Sequence, residues 1–316
     1  MARTRRAAWL GGIVAEDNAA DAMESYDEYA ALLDAVRGIR WPARSAVRGG
    51  IPGAHTSRLR GISAEFTEYR PYRQGDDPRR IDWKLFARSD RAYIRLSNDR
   101  AILPTMIVLD ASASMAFPVA TNAKWKLAAH LGVGLGAVAR NSGDPVGLII
   151  ARGEEPLLLS PRMRRSVTHE IIRAVSATHP DGSAPLSPSL WIAAQSGGRL
   201  VIVTDFLGDA ADLLATASRW VAAGREVHVI HVIAREELNP PHEAAMVSDP
   251  EAVEIRRPLV GDAREEYVEA FASWREDLAH DWSDAGISYT MAVTGEEAAD
   301  HLIRRVAASR SGAAIA

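Results

Sequence analysis

The chain contains no cysteine. That excludes disulfides, thiolate metal sites and cysteine nucleophiles, and it is the usage expected of a protein kept in a reducing cytoplasm. Long apolar runs are missing too: none approaches the ~18 residues needed to span a bilayer. Arg3-Thr-Arg-Arg6 followed by Ala7 to Ala15 has the outline of a secretory leader. Its apolar part is short, is broken by Gly11 and Gly12, and runs into Glu16 and Asp17, so a tail on a cytoplasmic protein is expected instead. Several catalytic signatures are absent. There is no H-E-x-x-H, no G-x-x-x-x-G-K loop, and no G-x-S-x-G around Ser112, which removes zinc-peptidase, P-loop ATPase and hydrolase-elbow readings.

What is present is the composition of a globular protein with a substantial core, 47% hydrophobic and 25% charged. The net charge of −4 hides an uneven distribution. Residues 37–100 carry fifteen Arg/Lys against seven Asp/Glu, about +8, and the chain beyond them is near −8. Such asymmetry points to an acidic protein partner or an internal charge-matched interface. Nucleic acid fits poorly, because Asp76, Asp77 and Asp82 sit among the arginines and no nucleic-acid-binding motif accompanies them.

Apolar periodicity divides the chain. Residues 1–24 read as a tail, and Ser25 to Arg37 as an amphipathic helix capped by Ser25 and ended by Gly38. A Gly- and Arg-rich stretch over 41–61 is followed by strands at 66–72 and 92–96. From Leu103 the pattern alternates. Strands are expected at 106–110, 146–151, 200–204, 226–233 and 287–293, with 156–159 a hairpin partner of the second. Helices are expected at 124–140, 165–175, up to Gln195, 210–223, 263–285 and 296–309, with an irregular excursion over 235–262. Gly132, Gly134 and Gly136 fall inside a helix, where packing rather than a dinucleotide-binding loop explains them. Strands alternating with helices predict an α/β fold: a doubly wound, mainly parallel sheet, with the N-terminal helix and extra strands packed on it. The expected division is a tail (1–24), a basic segment (25–100), the α/β domain (101–309) and a short tail (310–316).

The most informative stretch is Ile107-Val-Leu-Asp-Ala-Ser-Ala-Ser-Met115. An apolar strand ends in Asp110, and Ser112 and Ser114 follow at two-residue spacing. Oxygen ligands on a short loop suit a hard cation, Mg²⁺ or Mn²⁺. A simpler reading has the serines capping the next turn. A second strand ends in Val203-Thr204-Asp205, and doubly wound sheets bind ligands at such strand ends.

Asp110, Ser112, Ser114 and Asp205 together resemble the metal-ion-dependent adhesion site of von Willebrand factor A domains. That site also takes a Thr from a second loop. Here the corresponding region reads Asp181-Gly-Ser-Ala-Pro-Leu-Ser-Pro-Ser189, with no Thr, so Ser183 is the expected substitute and Ser187 the second choice. The N-terminal third carries a denser signature. Gly53-Ala-His-Thr-Ser57, Gly61-Ile-Ser-Ala-Glu-Phe-Thr-Glu-Tyr-Arg-Pro-Tyr72, Gly75-Asp-Asp-Pro-Arg-Arg-Ile-Asp-Trp83 and Ala87-Arg88 resemble the bacterial von Willebrand A-like family called domain of unknown function 58 (DUF58). Asp249-Pro-Glu251 and Thr294 fit the same pattern, and the resemblance covers roughly residues 25–305. It implies a MoxR-type AAA+ ATPase as partner and a chaperone-like role in assembling or activating other proteins.

Three functions follow as expectations. The first is a Mg²⁺-dependent (or Mn²⁺-dependent) adaptor that binds proteins and is not an enzyme. The second is a Mg²⁺-dependent phosphatase or nuclease using Asp110 and Asp205, although Ser112 stands where an aspartyl phosphatase needs a general acid. The third is an interaction protein with a degenerate metal site. Arg70, Arg73, Asp76, Asp77, Arg79, Arg80, Asp82, Trp83 and Arg88 are either an internal ion-pair clamp anchored by Trp83 and Tyr72, or a docking surface in which arginines grip partner carboxylates. Reversing the charges of Arg79 and Arg80 separates the two. Lost partner binding with an unchanged melting curve identifies the docking surface, whereas unfolding identifies the clamp.

Overall fold

The computed structural model describes residues 17–43, 52–56 and 66–309, except 75, 77, 79, 80, 98, 99, 154, 184, 197, 209, 242–245 and 249–255. The chain begins with α1 (Asp17–Val36), β1 (Pro52–Thr56), β2 (Phe66–Pro71), α2 (Trp83–Ser89), β3 (Tyr93–Ser97) and β4 (Arg100–Ala101). Next come β5 (Thr105–Asp110), α3 (Ala123–Asn141), β6 (Val146–Ala151), β7 (Leu157–Arg162), α4 (Val167–Ser176), α5 (Leu186–Ala194) and β8 (Arg199–Thr204). The last part holds α6 (Ala210–Ala222), β9 (Glu226–Ile233), α7 (Arg235–Leu238), β10 (Met246–Ser248), β11 (Arg256–Pro258), α8 (Asp262–Asp284), β12 (Ser288–Val293) and α9 (Ala299–Ala308).

Strands β5, β6, β8 and β9 bury every residue, which is why they read as continuous apolar runs rather than alternating ones. They lie in one six-stranded sheet of order β12-β9-β8-β5-β6-β7, parallel except for the antiparallel edge strand β7. Successive side chains feed two cores. Ile107, Leu109, Val201 and Val203 face a layer of α1, α3, α4 and α9, while Met106, Val108, Leu200 and Ile202 face α5, α6 and α8. The expected doubly wound α/β fold is therefore present. Strand order reverses at β5, whose neighbours are β6 and β8, so a crevice forms beyond the ends of β5 and β8.

The three helical glycines are packing residues. A Cβ at Gly132 would stand 3.0 Å from a Leu109 methyl, one at Gly136 would stand 3.0 Å from an Ile171 methyl, and one at Gly134 would collide with Ile303. Helix α3 thereby lies close to the sheet and to α9.

The N-terminal segment corrects two expectations. Helix α1 begins at Asp17, so Ser25 lies inside it rather than capping it. Helix α2 was not expected, because none of its residues is buried and no apolar stripe marks it. It exists through its cap: the Asp82 carboxylate accepts from the backbone N–H groups of Lys84 and Leu85, each at 3.0 Å. The extra strands form separate antiparallel pairs, β1 with β4, β2 with β3, and β10 with β11, the last being a pairing within the 235–262 excursion.

At the sheet's N-terminal edge sits an arginine that the sequence did not single out. Arg199 is fully buried, with Nε 3.0 Å from Glu226 and Nη1 3.7 Å from Asp144. Its guanidinium stacks 4.2 Å from the Trp41 ring and donates to the carbonyls of Trp41 and Pro42. The segment after α1 is pinned there. Just before it, Gly198 adopts φ +87°, and a Cβ would strike the Pro104 carbonyl. Gly198→Ala is expected to lower stability by about 2 kcal/mol or more, from left-handed strain plus overpacking, read as a reduced denaturation midpoint.

Candidate metal centre

The carboxyl ends of β5 and β8 bring polar side chains together because parallel neighbours end side by side, with Leu109 level with Val203. Asp110 is buried and accepts from both directions: from the Ser112 backbone N–H at 2.9 Å and from the Thr204 hydroxyl at 2.6 Å. The Thr204 oxygen also accepts from the Phe206 N–H at 3.2 Å. The Ser112 and Ser114 hydroxyls are 3.0 Å apart. Asp205, also buried, accepts from the Leu207 N–H. Phe206 between them has φ +59°, a region an aromatic residue rarely enters. Its ring is held by His231 and Trp282, each 5.2 Å away.

The second loop is drawn in by backbone bonds. The Ala113 N–H donates to the Gly182 carbonyl at 2.8 Å and the Asp181 N–H to the Ala111 carbonyl at 3.1 Å. Ser183 and Ser187 consequently line one cavity of about 430 Å³ with Asp110, Ser112 and Thr204, walled by Leu186, Phe206 and Leu213. Ser187 donates to Asp212 of α6, which leaves Ser183 as the better placed of the two loop hydroxyls. Ser114 and Asp205 are buried beside this set.

Three participants escaped the sequence reading. Thr204 orders Asp110, although a threonine directly before Asp205 was visible. The others are Lys124 and Glu237. The Lys124 ammonium is fully buried, 2.6 Å from Asp205 Oδ2 and 2.8 Å from Glu237 Oε1. Nothing in Lys124-Trp-Lys126 tells which lysine turns inward, and Arg235-Glu-Glu-Leu238 reads as a solvated run. Burial first, then the Asp205 charge, raises the Asp110 carboxyl to about 6. Burial opposes the charged form of Lys124, but Asp205 and Glu237 more than offset it and hold its pKa above the ordinary lysine value. Burial keeps His231 neutral, its pKa pushed down to about 3.

The residues fit a hard divalent cation. Among the described residues no three His, Cys, Asp or Glu side chains gather closely enough to hold a metal by themselves, and the hydroxyls of Ser112, Ser114 and Ser183 are the further oxygen donors at this site. Adjacent ligands of an octahedral ion with bonds of about 2.1 Å lie about 3 Å apart, which is the Ser112–Ser114 spacing. Three carboxylates against one ammonium leave two formal negative charges for a dication to neutralise.

The basic signature lies apart from this site, in the unit of β2, α2 and β3. Arg70 pairs with Asp76 at 2.8 Å, and Asp76 also accepts from the Arg73 N–H. Asp82 caps α2 and accepts from the Tyr69 hydroxyl at 2.9 Å. Arg73 and Arg88 are exposed. Trp83 is 61% exposed, with the Phe86 ring edge-on 5.9 Å away, which speaks against its part as a packing anchor in the clamp alternative. Asp77, Arg79 and Arg80 lie outside the described residues, as do Asp249 and Glu251. Thr294 accepts from the Arg235 N–H beside α7.

A sheet of this order, with an Asp-x-Ser-x-Ser loop at its switch point, defines a doubly wound α/β protein with a von Willebrand factor A-like arrangement. A family model described as protein of unknown function DUF58 matches residues 68–277, and the chain belongs to that family. It is 28% identical over 291 residues to the uncharacterized protein Rv1480 of Mycobacterium tuberculosis, covering 89% of this chain and 91% of that one. An uncharacterized Mycobacterium bovis protein, Mb1516, matches equally. Among solved structures, BatB from Bacteroides thetaiotaomicron is similar at 18% identity and TM-score 0.43, over 66% of this chain and all of that one. The SpRpn10 VWA domain is similar at 14% and 0.40, over 68% of this chain and 100% of that domain.

Thr204→Val keeps the shape and removes the hydroxyl, leaving a buried carboxylate oxygen of Asp110 without its donor. A loss of about 1.5–3 kcal/mol is expected, measured by urea unfolding.

Proposed function

We propose that this chain is a metal-dependent protein-binding adaptor and not an enzyme, working in the cytoplasm with a MoxR-type AAA+ ATPase to assemble or activate other proteins. The observation that carries the reading is that Asp110, Ser112 and Ser183 line one open cavity at the switch point, with the Ser114 hydroxyl 3.0 Å from that of Ser112 and buried Asp205 directly following Thr204, which donates to Asp110. Asp110, the serine hydroxyls and Asp205 would hold Mg²⁺ or Mn²⁺ directly or through water. Such an ion supplies Lewis acidity toward an outside oxygen ligand. Hydroxyls add little negative charge, so a partner carboxylate suits the remaining position.

The chain's own residues support binding over turnover. Ser112 cannot act as general acid near neutral pH, His231 is buried and neutral, and Lys124 is tied to two carboxylates. Among the described residues no helix is long and apolar enough to cross a membrane. The ATPase partner rests on the family resemblance. For its surface the exposed Trp83, with Arg73 and Arg88 nearby in sequence, is the favoured candidate, since an exposed aromatic beside arginines is the usual content of an interface. A degenerate site is the second reading, and the Lys124–Asp205 ion pair favours it.

Calorimetric titration with Mg²⁺ and Mn²⁺ should give saturable heat in the wild type and none in Asp110→Ala. Capture of the ATPase should weaken at least tenfold in the same variant. Absence of heat, together with capture insensitive to chelator, would overturn the metal-dependent reading in favour of the degenerate site.

A further inference from the structure

We propose that Lys124 is a resident cation that competes with the divalent metal for Asp205 and thereby sets the affinity of the site; this rests on the metal reading above. Its side chain enters from the start of α3 and is wholly shielded from solvent. The ammonium lies between Asp205 Oδ2 at 2.6 Å and Glu237 Oε1 at 2.8 Å. Both carboxylates are fixed from behind. Asp205 accepts from the Leu207 N–H at 3.1 Å. The other Glu237 oxygen accepts from the Ala234 N–H at 2.7 Å, and the Glu237 carbonyl accepts from the Tyr267 hydroxyl at 3.1 Å.

A buried ammonium therefore occupies one of the two aspartates that the metal would use. Asp110 shares the site electrostatically, since its carboxyl feels the Asp205 charge. A dication entering beside Asp110 meets a like charge already in place, in surroundings where water screens little. It gains less from Asp205 than an unpaired carboxylate would give. The alternative is that Lys124 only orients Asp205, and it makes the opposite prediction: removing the lysine would then misplace a ligand and weaken metal binding.

Removing one partner of a buried ion pair is destabilising, so two variants share the test. Lys124→Met leaves three carboxylates. Lys124→Met/Glu237→Gln removes one charge of each sign and keeps the formal charge of the site. Glu237→Gln alone leaves Lys124 to Asp205. Mg²⁺ and Mn²⁺ dissociation constants are measured by calorimetry, with the metal-free melting temperature recorded alongside.

The expected order is at least tenfold tighter binding in Lys124→Met, tighter than wild type in the double variant, and weaker than wild type in Glu237→Gln. The metal-free melting temperature falls in Lys124→Met even as affinity rises, a combination that a purely orienting role does not produce. If Lys124→Met does not fold, the double variant decides. Unchanged or weaker binding in folded lysine variants, with wild type binding, overturns the proposal and leaves the adaptor reading standing. Binding by the lysine variants but not by wild type supports the proposal and makes the native site a blocked one. No binding by any of the proteins overturns both.

Discussion

The pairing of β5 with β8 is the constraint from which the rest follows. Their paired residues lie 94 positions apart in sequence, yet the strands run in parallel register with Leu109 opposite Val203. Because they point the same way, their carboxyl ends finish together. Because the chain goes from β5 to β6 on one side and reaches β8 on the other, the connections leave a gap at that end. Asp110 and Thr204 meet across this gap, and the loop holding Ser183 closes over it through the Gly182 and Asp181 backbone bonds. The apolar alternation that builds two cores and the polar cluster at the strand ends are thus consequences of one packing decision.

Both ends of the sheet bury a cation between two carboxylates, and the chemistry differs. Arg199 at the lower edge is a planar fork, stacked on Trp41 and bonded to backbone carbonyls, so its neighbours fix it on several sides. Lys124 at the upper end is a point charge on a flexible stem, held by ions alone among its charged contacts. An arginine in such a setting fastens segments together. A lysine beside a ligand-binding crevice can share its counter-ion with an incoming charge. The charge balance is alike at the two ends, but the way each cation is held differs, which is the basis of the role proposed for Lys124.

The β2–α2–β3 unit obeys another logic. Its ion pair and its helix cap are local, and α2 buries none of its side chains. A helix with an exposed tryptophan and no buried side chain of its own gains little from folding alone, and the docking surface proposed above would supply the missing burial. The internal ion pair and the proposed docking surface do not compete: Arg70 and Asp76 pair within the unit while Trp83 is exposed.

Much of the protein was legible in the sequence. Continuous apolar runs marked the buried parallel strands, helical spacing marked most helices, and Asp110-Ala-Ser-Ala-Ser114 with Asp205 marked the crevice, because these signals are local and periodic. Helix α2 was hidden because a capping aspartate, rather than an apolar stripe, defines it. The early start of α1 was hidden because alanine propensity carries no periodicity. The sequence by itself determined the sheet class, the family signature and the oxygen-rich loop. Only the tertiary structure decided that Ser183 and Ser187 share a cavity with Asp110, that Thr204 donates to it, and that Lys124 rather than Lys126 turns inward onto Asp205 and Glu237. Those contacts join residues tens of positions apart, and only the folded packing chooses which side chain fills the space between them.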